Sequence, residues 1–154
     1  MSIDVAKHEQ PRQPPKVANT IVKLLLRSPL HGSVSKQIML VTFRGRKSGK
    51  LFSTPVGYAR EGQTVTFFTD HSWWKNLVNR APVTLHIQGK KLEGTSEVIY
   101  DNKELIAHEL RKYVEQRPRA ARAYSISLDT SGKADPETVR LAAQRFALVR
   151  VTLA

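Results

Sequence analysis

The feature that most constrains this chain is a period of two. Between residues 36 and 100, apolar and β-branched side chains recur in short extended runs, and Gly-containing turns cut one run from the next. The runs are 36–44 (KQIMLVTFR), 50–60, 63–69 (QTVTFFT), 83–88 and 91–100, and 146–153 (FALVRVTL) resumes the habit near the C-terminus. Val83, Leu85 and Ile87 alternate with Thr84, His86 and Gln88, as a strand with one buried face requires. The first three runs read most simply as consecutive antiparallel strands. No βαβ alternation appears, so a parallel sheet is excluded. Six short antiparallel strands with a helix inserted after the third imply a mainly β, α+β chain: a small closed or half-open barrel with helices packed on it.

Helical segments are few and marked at their ends. Val17, Ile21, Leu24 and Leu25 fall on one face of a helix that Pro29 and Gly32 stop. Ser72 is placed to cap a short helix (WWKNLVNR) ending before Pro82. Asp101 and Glu104 have capping-box spacing ahead of a helix running to about Val114, with Leu105, Ile106, Leu110, Tyr113 and Val114 on one side. Asp135 and Pro136 set the N-cap and first position of another helix. Residues 117–133 read as a looser segment rich in Arg, Ala and Ser. Residues 1–15, with Pro11, Pro14 and Pro15 among polar neighbours, read as a mobile tail, and 16–154 as one split-barrel domain.

Charge narrows the partners. The 154 residues carry 25 Lys plus Arg against 13 Asp plus Glu, a net +12, and no Cys. A disulfide framework and a thiolate metal site are thus excluded. The five histidines (8, 31, 71, 86, 108) have no metal-ligand spacing, and no metal is expected. No apolar run reaches the ~20 residues of a membrane span, and the N-terminus lacks a signal-peptide core, so a soluble cytoplasmic protein is the expectation. Residues 36–60 hold six basic side chains (Lys36, Arg44, Arg46, Lys47, Lys50, Arg60) and no acid. An anion would meet the protein here.

Two stretches can carry chemistry. In Thr42–Lys50 (TFRGRKSGK), Gly45 and Gly49 leave backbone N–H groups uncovered. Arg46 and Lys47 add a guanidinium and an ammonium, and Ser48 a hydroxyl. The stretch suits a phosphate or carboxylate, but it has neither P-loop nor GxGxxG spacing. In Ser72–Leu77 (SWWKNL), Trp73 and Trp74 point about 100° apart on a helix, so one can enter the core and the other line its rim as a wall for a planar ligand. Asn76 can address the edge of a heterocycle or cap the helix locally. No catalytic carboxylate pair and no G-x-S-x-G context is present, which disfavours hydrolysis. A phosphate cradle and an aromatic wall, without an intrinsic acid, base, nucleophile or metal, describe the holder of a redox cofactor.

The run from Met39 to Gly94 resembles the deazaflavin-dependent nitroreductase family, whose members carry a strand, a G-R-[KR]-[ST]-G turn, a T-P element and W-x-x-N-L-x-x-x-P in this order. The resemblance covers about residues 20–100. It implies a flavin-reductase-type split β-barrel, coenzyme F420 as cofactor, and hydride transfer to a small-molecule acceptor such as a nitro compound or a quinone. It also implies that Arg46, Lys47 and Ser48, with Gly49 and Lys50, hold the cofactor's phosphate and acidic tail. Thr54, Pro55 and Val56 would lie beside the tricyclic ring, and the helix of Trp73, Asn76 and Leu77 would close over it. Two positions depart from the pattern. Phe52 stands where many members have Arg, leaving Lys50 to substitute, and Gly57 stands where the nitroreductases have Tyr.

Tyr124, in the basic segment 117–133, is the candidate proton donor or substrate contact. The alternatives are an FMN-binding flavoprotein of the same barrel, and a non-catalytic basic barrel binding nucleic acid or anionic lipid. Against the last, only 7% of residues are aromatic and they do not interleave with the basic run as a stacking platform would. No specific nucleic acid is therefore expected. The charge is compatible with peripheral membrane contact, and the sequence carries no signal for oligomeric state.

Overall fold

A computed structural model describes residues 37–154. The tail of residues 1–15 and the helix beginning at Val17 lie outside the described residues. Seven strands follow: β1 (Ile38–Arg44), β2 (Leu51–Gly57), β3 (Ala59–Glu61), β4 (Thr64–Thr69), β5 (Pro82–Ile87), β6 (Lys90–Ile99) and β7 (Ala147–Leu153). A 3-10 helix, Ser72–Leu77, separates β4 from β5. The helices α1 (Lys103–Gln116) and α2 (Pro136–Arg145) lie between β6 and β7, with a second 3-10 helix, Pro118–Tyr124, between them.

The sheet runs β2-β1-β5-β6-β7-β4-β3. Its two edge strands, β2 and β3, are separated in the chain by Tyr58 alone. A sheet whose opposite edges are joined by one residue must curl back on itself, and the result is a half-barrel. This corrects the strand count. The single run expected over 50–60 changes partner midway: β2 pairs with β1, and β3 pairs with β4. Six strands become seven, and the first three runs are not laid side by side. The change of partner is made at Tyr58, which is buried and donates its backbone N–H to the Gln37 carbonyl at 3.2 Å.

The described residues form two compact units. One comprises the residues up to Val98 with Val149–Ala154, the other Ile99–Leu148. In the first, alternate residues of the sheet face inward: Met39, Val41 and Phe43 from β1, Val65 and Phe67 from β4, Val83, Leu85 and Ile87 from β5, and Val149, Val151 and Leu153 from β7. Each such side chain contributes about 1.5–3 kcal/mol by leaving water. Gly94 is required where β6 crosses β7, because a Cβ there would sit 2.6 Å from Val151 Cγ1 and 2.8 Å from the Thr152 carbonyl oxygen.

In the second unit, α1 buries Ile106, Leu110, Tyr113 and Val114, at helical spacing, and α2 buries Val139, Ala142 and Ala143. The α1 cap is Asn102, whose side chain accepts from the Leu105 N–H at 3.1 Å, one residue later than the expected box. Asp135 caps α2 as expected, accepting from the Thr138 N–H at 3.0 Å. Part of the segment read as loose, Pro118–Tyr124, is wound into 3-10 helix.

Candidate anion-binding turn

The hairpin between β1 and β2 is closed by backbone bonds at both ends. The Gly45 N–H donates to the Lys50 carbonyl at 2.8 Å, and the Gly49 N–H to the Gly45 carbonyl at 2.8 Å. Gly49 has φ 72°, the left-handed region glycine enters without penalty. Arg44 reaches across the turn and donates from Nη1 to the Gly49 carbonyl at 2.8 Å. The Lys50 N–H donates to Ser48 Oγ at 3.2 Å, which occupies an acceptor position on that hydroxyl and leaves its own proton to donate elsewhere.

Most backbone donors of the turn are spent within the described residues. Gly45, Gly49 and Lys50 spend their N–H groups inside the turn, and Arg46 donates its own to Asn76 Oδ1 at 2.9 Å. The N–H groups of Lys47 and Ser48 have no partner among the described residues. The Arg46, Lys47, Ser48, Gly49 and Lys50 side of the turn is exposed. None of its three cations has an acidic partner among the described residues. Two adjacent N–H donors, one hydroxyl and three cations therefore belong to one exposed turn.

The base of the turn rests on rings. A Cβ on Gly45 would lie 2.6 Å from Phe52 Cε2, so only glycine allows the chain to pass so close to that ring. Phe52 stacks on Phe43 with centroids 5.4 Å apart, Phe43 on Trp73 at 5.3 Å, and Trp73 with Phe67 at 6.0 Å. Trp73 thus lies in the core, 6% exposed, with its ring engaged by phenyl groups. Trp74 is half-buried, with Lys75 Nζ 5.9 Å from its ring centre, so one indole enters the core and the other does not.

The other residues singled out in the sequence fall in different places. Thr54 and Val56 share the inward face of β2, opposite Val41 and Met39, whereas Pro55 alternates to the other face opposite Leu40 and is exposed. Proline is tolerated there because β2 is an edge strand. Leu77 is fully buried, and its carbonyl accepts from Ser96 Oγ at 2.6 Å. Ser72 does not cap its helix. His71 holds the N-cap position without a side-chain bond, and the helix ends at Leu77, short of Pro82, at two consecutive left-handed residues, Asn79 (φ 62°) and Arg80 (φ 56°), beyond Val78. Tyr124 belongs to the second unit, 7% exposed, its ring edge-on to Tyr113 at 5.9 Å and to Phe146 at 5.0 Å.

Sequence reasoning missed the Phe43–Phe52 pair under the turn and the Arg44 strap across it. A signal was available. Residues 43 and 52 are equidistant from the middle of a turn centred between Lys47 and Ser48, so a hairpin closed there must place them opposite one another. Among the described residues no group of three or more His, Asp or Glu is placed to hold a metal, and no helix is long and apolar enough to cross a membrane.

A family model described as F420H(2)-dependent quinone reductase matches residues 27–130. Among solved structures, one of an F420-H2 dependent reductase (FDR-A) is similar with a TM-score of 0.50 at 21% identity, covering 75% of this chain and 94% of that one. A structure described as a domain-swapped dimer gives 0.50 at 18% identity, covering 88% of this chain and 96% of that one. A protein of unknown function from Agrobacterium tumefaciens gives 0.50 at 15%, covering 84% of this chain and 56% of that one. At these identities the likeness is one of fold. No curated protein matches the chain.

Proposed function

Because this chain belongs to the F420H(2)-dependent quinone reductase family, and is thereby an F420H2-dependent reductase with coenzyme F420 as its cofactor, we propose that the 46–50 turn holds the cofactor's anionic part and that the acceptor is a quinone. The observation that supports this is the donor count. The N–H groups of Lys47 and Ser48 and three cations, which have no hydrogen-bond or acidic partner among the described residues, make with the Ser48 hydroxyl a receptor for a phosphate or carboxylate. F420 bears both kinds of group, and its donor requirements fit this turn.

When bound and reduced, the deazaflavin supplies a hydride. The chain's own residues bind and orient. Lys47 and Arg46 attract the anion from a distance, and the two N–H groups with Ser48 fix its oxygens. Lys50 supplies the cation that Phe52 does not, while Phe52 has its place beneath Gly45. Pro55, Thr54 and Val56 border the ring on the edge strand, Pro55 from the exposed face. Trp73, Asn76 and Leu77 support the turn from below. Tyr124 is a packing residue of the second unit, and solvent supplies the proton that accompanies the hydride.

The test is reductive. Purified protein is mixed with reduced F420 and, in separate arms, a soluble quinone, a nitroaromatic and oxidised FMN. Oxidation of the cofactor that depends on the quinone supports the reading. Saturable F420 binding with turnover of the nitroaromatic alone overturns the acceptor, and tight FMN binding without F420 binding overturns the site.

A further inference from the structure

Asn76 lies thirty residues from the turn in sequence and touches it. The residue is 9% exposed, and both ends of its amide are engaged. Oδ1 accepts the Arg46 N–H at 2.9 Å, and Nδ2 donates to the Trp73 carbonyl at 3.0 Å. The sequence offered Asn76 as a contact to a heterocycle or as a local cap of its helix. In the structure its one carbonyl and one amino group already face protein, and little of it reaches solvent.

The consequence is a closed circuit of contacts. Gly45 rests on Phe52, Phe52 stacks on Phe43, and Phe43 on Trp73. The Trp73 carbonyl holds Asn76, and Asn76 holds the Arg46 N–H, one residue from where the circuit began. Cutting the Asn76 link leaves the turn attached at its base only. It would also release a third N–H, that of Arg46, in a partly buried place.

We infer that Asn76 is the positioning residue of the anion site: its amide takes the Arg46 N–H out of use and thereby sets the orientation in which the Lys47 and Ser48 donors are presented. Asn76 does not touch the cofactor. It acts through the backbone of Arg46, trading one potential donor for a fixed arrangement of the remaining two. The inference rests on the reading of the turn as the site for the anionic part of F420, and it adds a residue that sets affinity without contact.

The experiment has a cofactor-free arm and a loaded arm. In the first, amide hydrogen exchange is measured on the full chain without F420. The Arg46 amide is expected to exchange at least tenfold more slowly than those of Lys47 and Ser48, and Asn76→Ala is expected to erase the difference while core amides such as Val41 and Leu85 keep their protection. In the second, F420 is titrated into wild type, Asn76→Ala, Ser48→Ala and the double variant. Asn76→Ala is expected to weaken binding on the order of tenfold, and to weaken it markedly less in the Ser48→Ala background, because a positioning residue loses its effect when the group it positions is gone.

An Arg46 amide as fast as its neighbours in wild type overturns the inference even if Asn76→Ala fails to fold. So does a folded Asn76→Ala with wild-type F420 affinity, or losses that simply add. Wild-type protein that shows the protection but does not bind F420 overturns the reading of the turn instead, so the two failures are distinct.

Discussion

The two sides of the Arg46–Asn76 hydrogen bond are built on opposite principles. Below it, Phe52, Phe43, Trp73 and Phe67 form a run of rings withdrawn from water, held by contact area and by stacking worth about 0.5–1.5 kcal/mol per pair beyond burial. Above it, Arg46 to Lys50 are exposed, and among the described residues their cations have no acidic partner and two of their N–H groups are unspent. Packing decides the lower region and donor geometry the upper. A change below should therefore be read in stability, and a change above in ligand affinity with the fold untouched.

The largest effect belongs to the rings. Trp73→Ala removes a buried indole that stacks with both Phe43 and Phe67, and should cost about 3–5 kcal/mol of unfolding free energy in denaturant titration. A loss under ~1 kcal/mol would show that the rings do not form one packed unit. Next comes the exposed side. Lys47→Ala should weaken F420 binding by about 1–3 kcal/mol and leave the denaturation midpoint where it was. A shifted midpoint with unchanged affinity would reverse the contrast.

In the second unit, Asp135→Ala removes the α2 cap and should cost about 1 kcal/mol of stability in the same denaturant titration. The smallest effect is a slope with pH. Burial first, then the charge of Lys91 across the strand pair, holds the His86 imidazole below its usual 6.5, with Glu93 opposing. A base with a depressed folded-state pKa binds fewer protons folded than unfolded. Its contribution is complete above 6.5 and declines as pH falls from there toward the folded value. Replacing His86 by Gln should flatten stability against pH in that window, and an unchanged slope would remove His86 as its cause.

What the sequence disclosed follows from the same contrast. Period-two alternation and Gly turns marked the antiparallel barrel, and the basic, acid-free run marked the turn, because both are local signals. Partner exchange at Tyr58 was invisible, since 50–60 is extended throughout and nothing local says which strand lies beside which half. The place of Trp73 was equally hidden: a tryptophan reads the same whether it will stack on phenyl rings or face a ligand, and the long-range pairing of Phe43 with Phe52 decides. Asn76 drew notice for its paired donor and acceptor, and the structure engages both. Its partner thirty residues away could not be seen from either segment alone.

The Lys47 and Ser48 amides can be watched in solution. In a two-dimensional NMR titration of the full chain with F420, the Lys47 and Ser48 N–H resonances should move first and furthest, saturably and less at high salt, while Trp73 and the inward residues of β1 and β5 barely respond. Saturable binding that leaves those two amides unmoved and shifts resonances elsewhere would contradict the reading of the turn as the anion site.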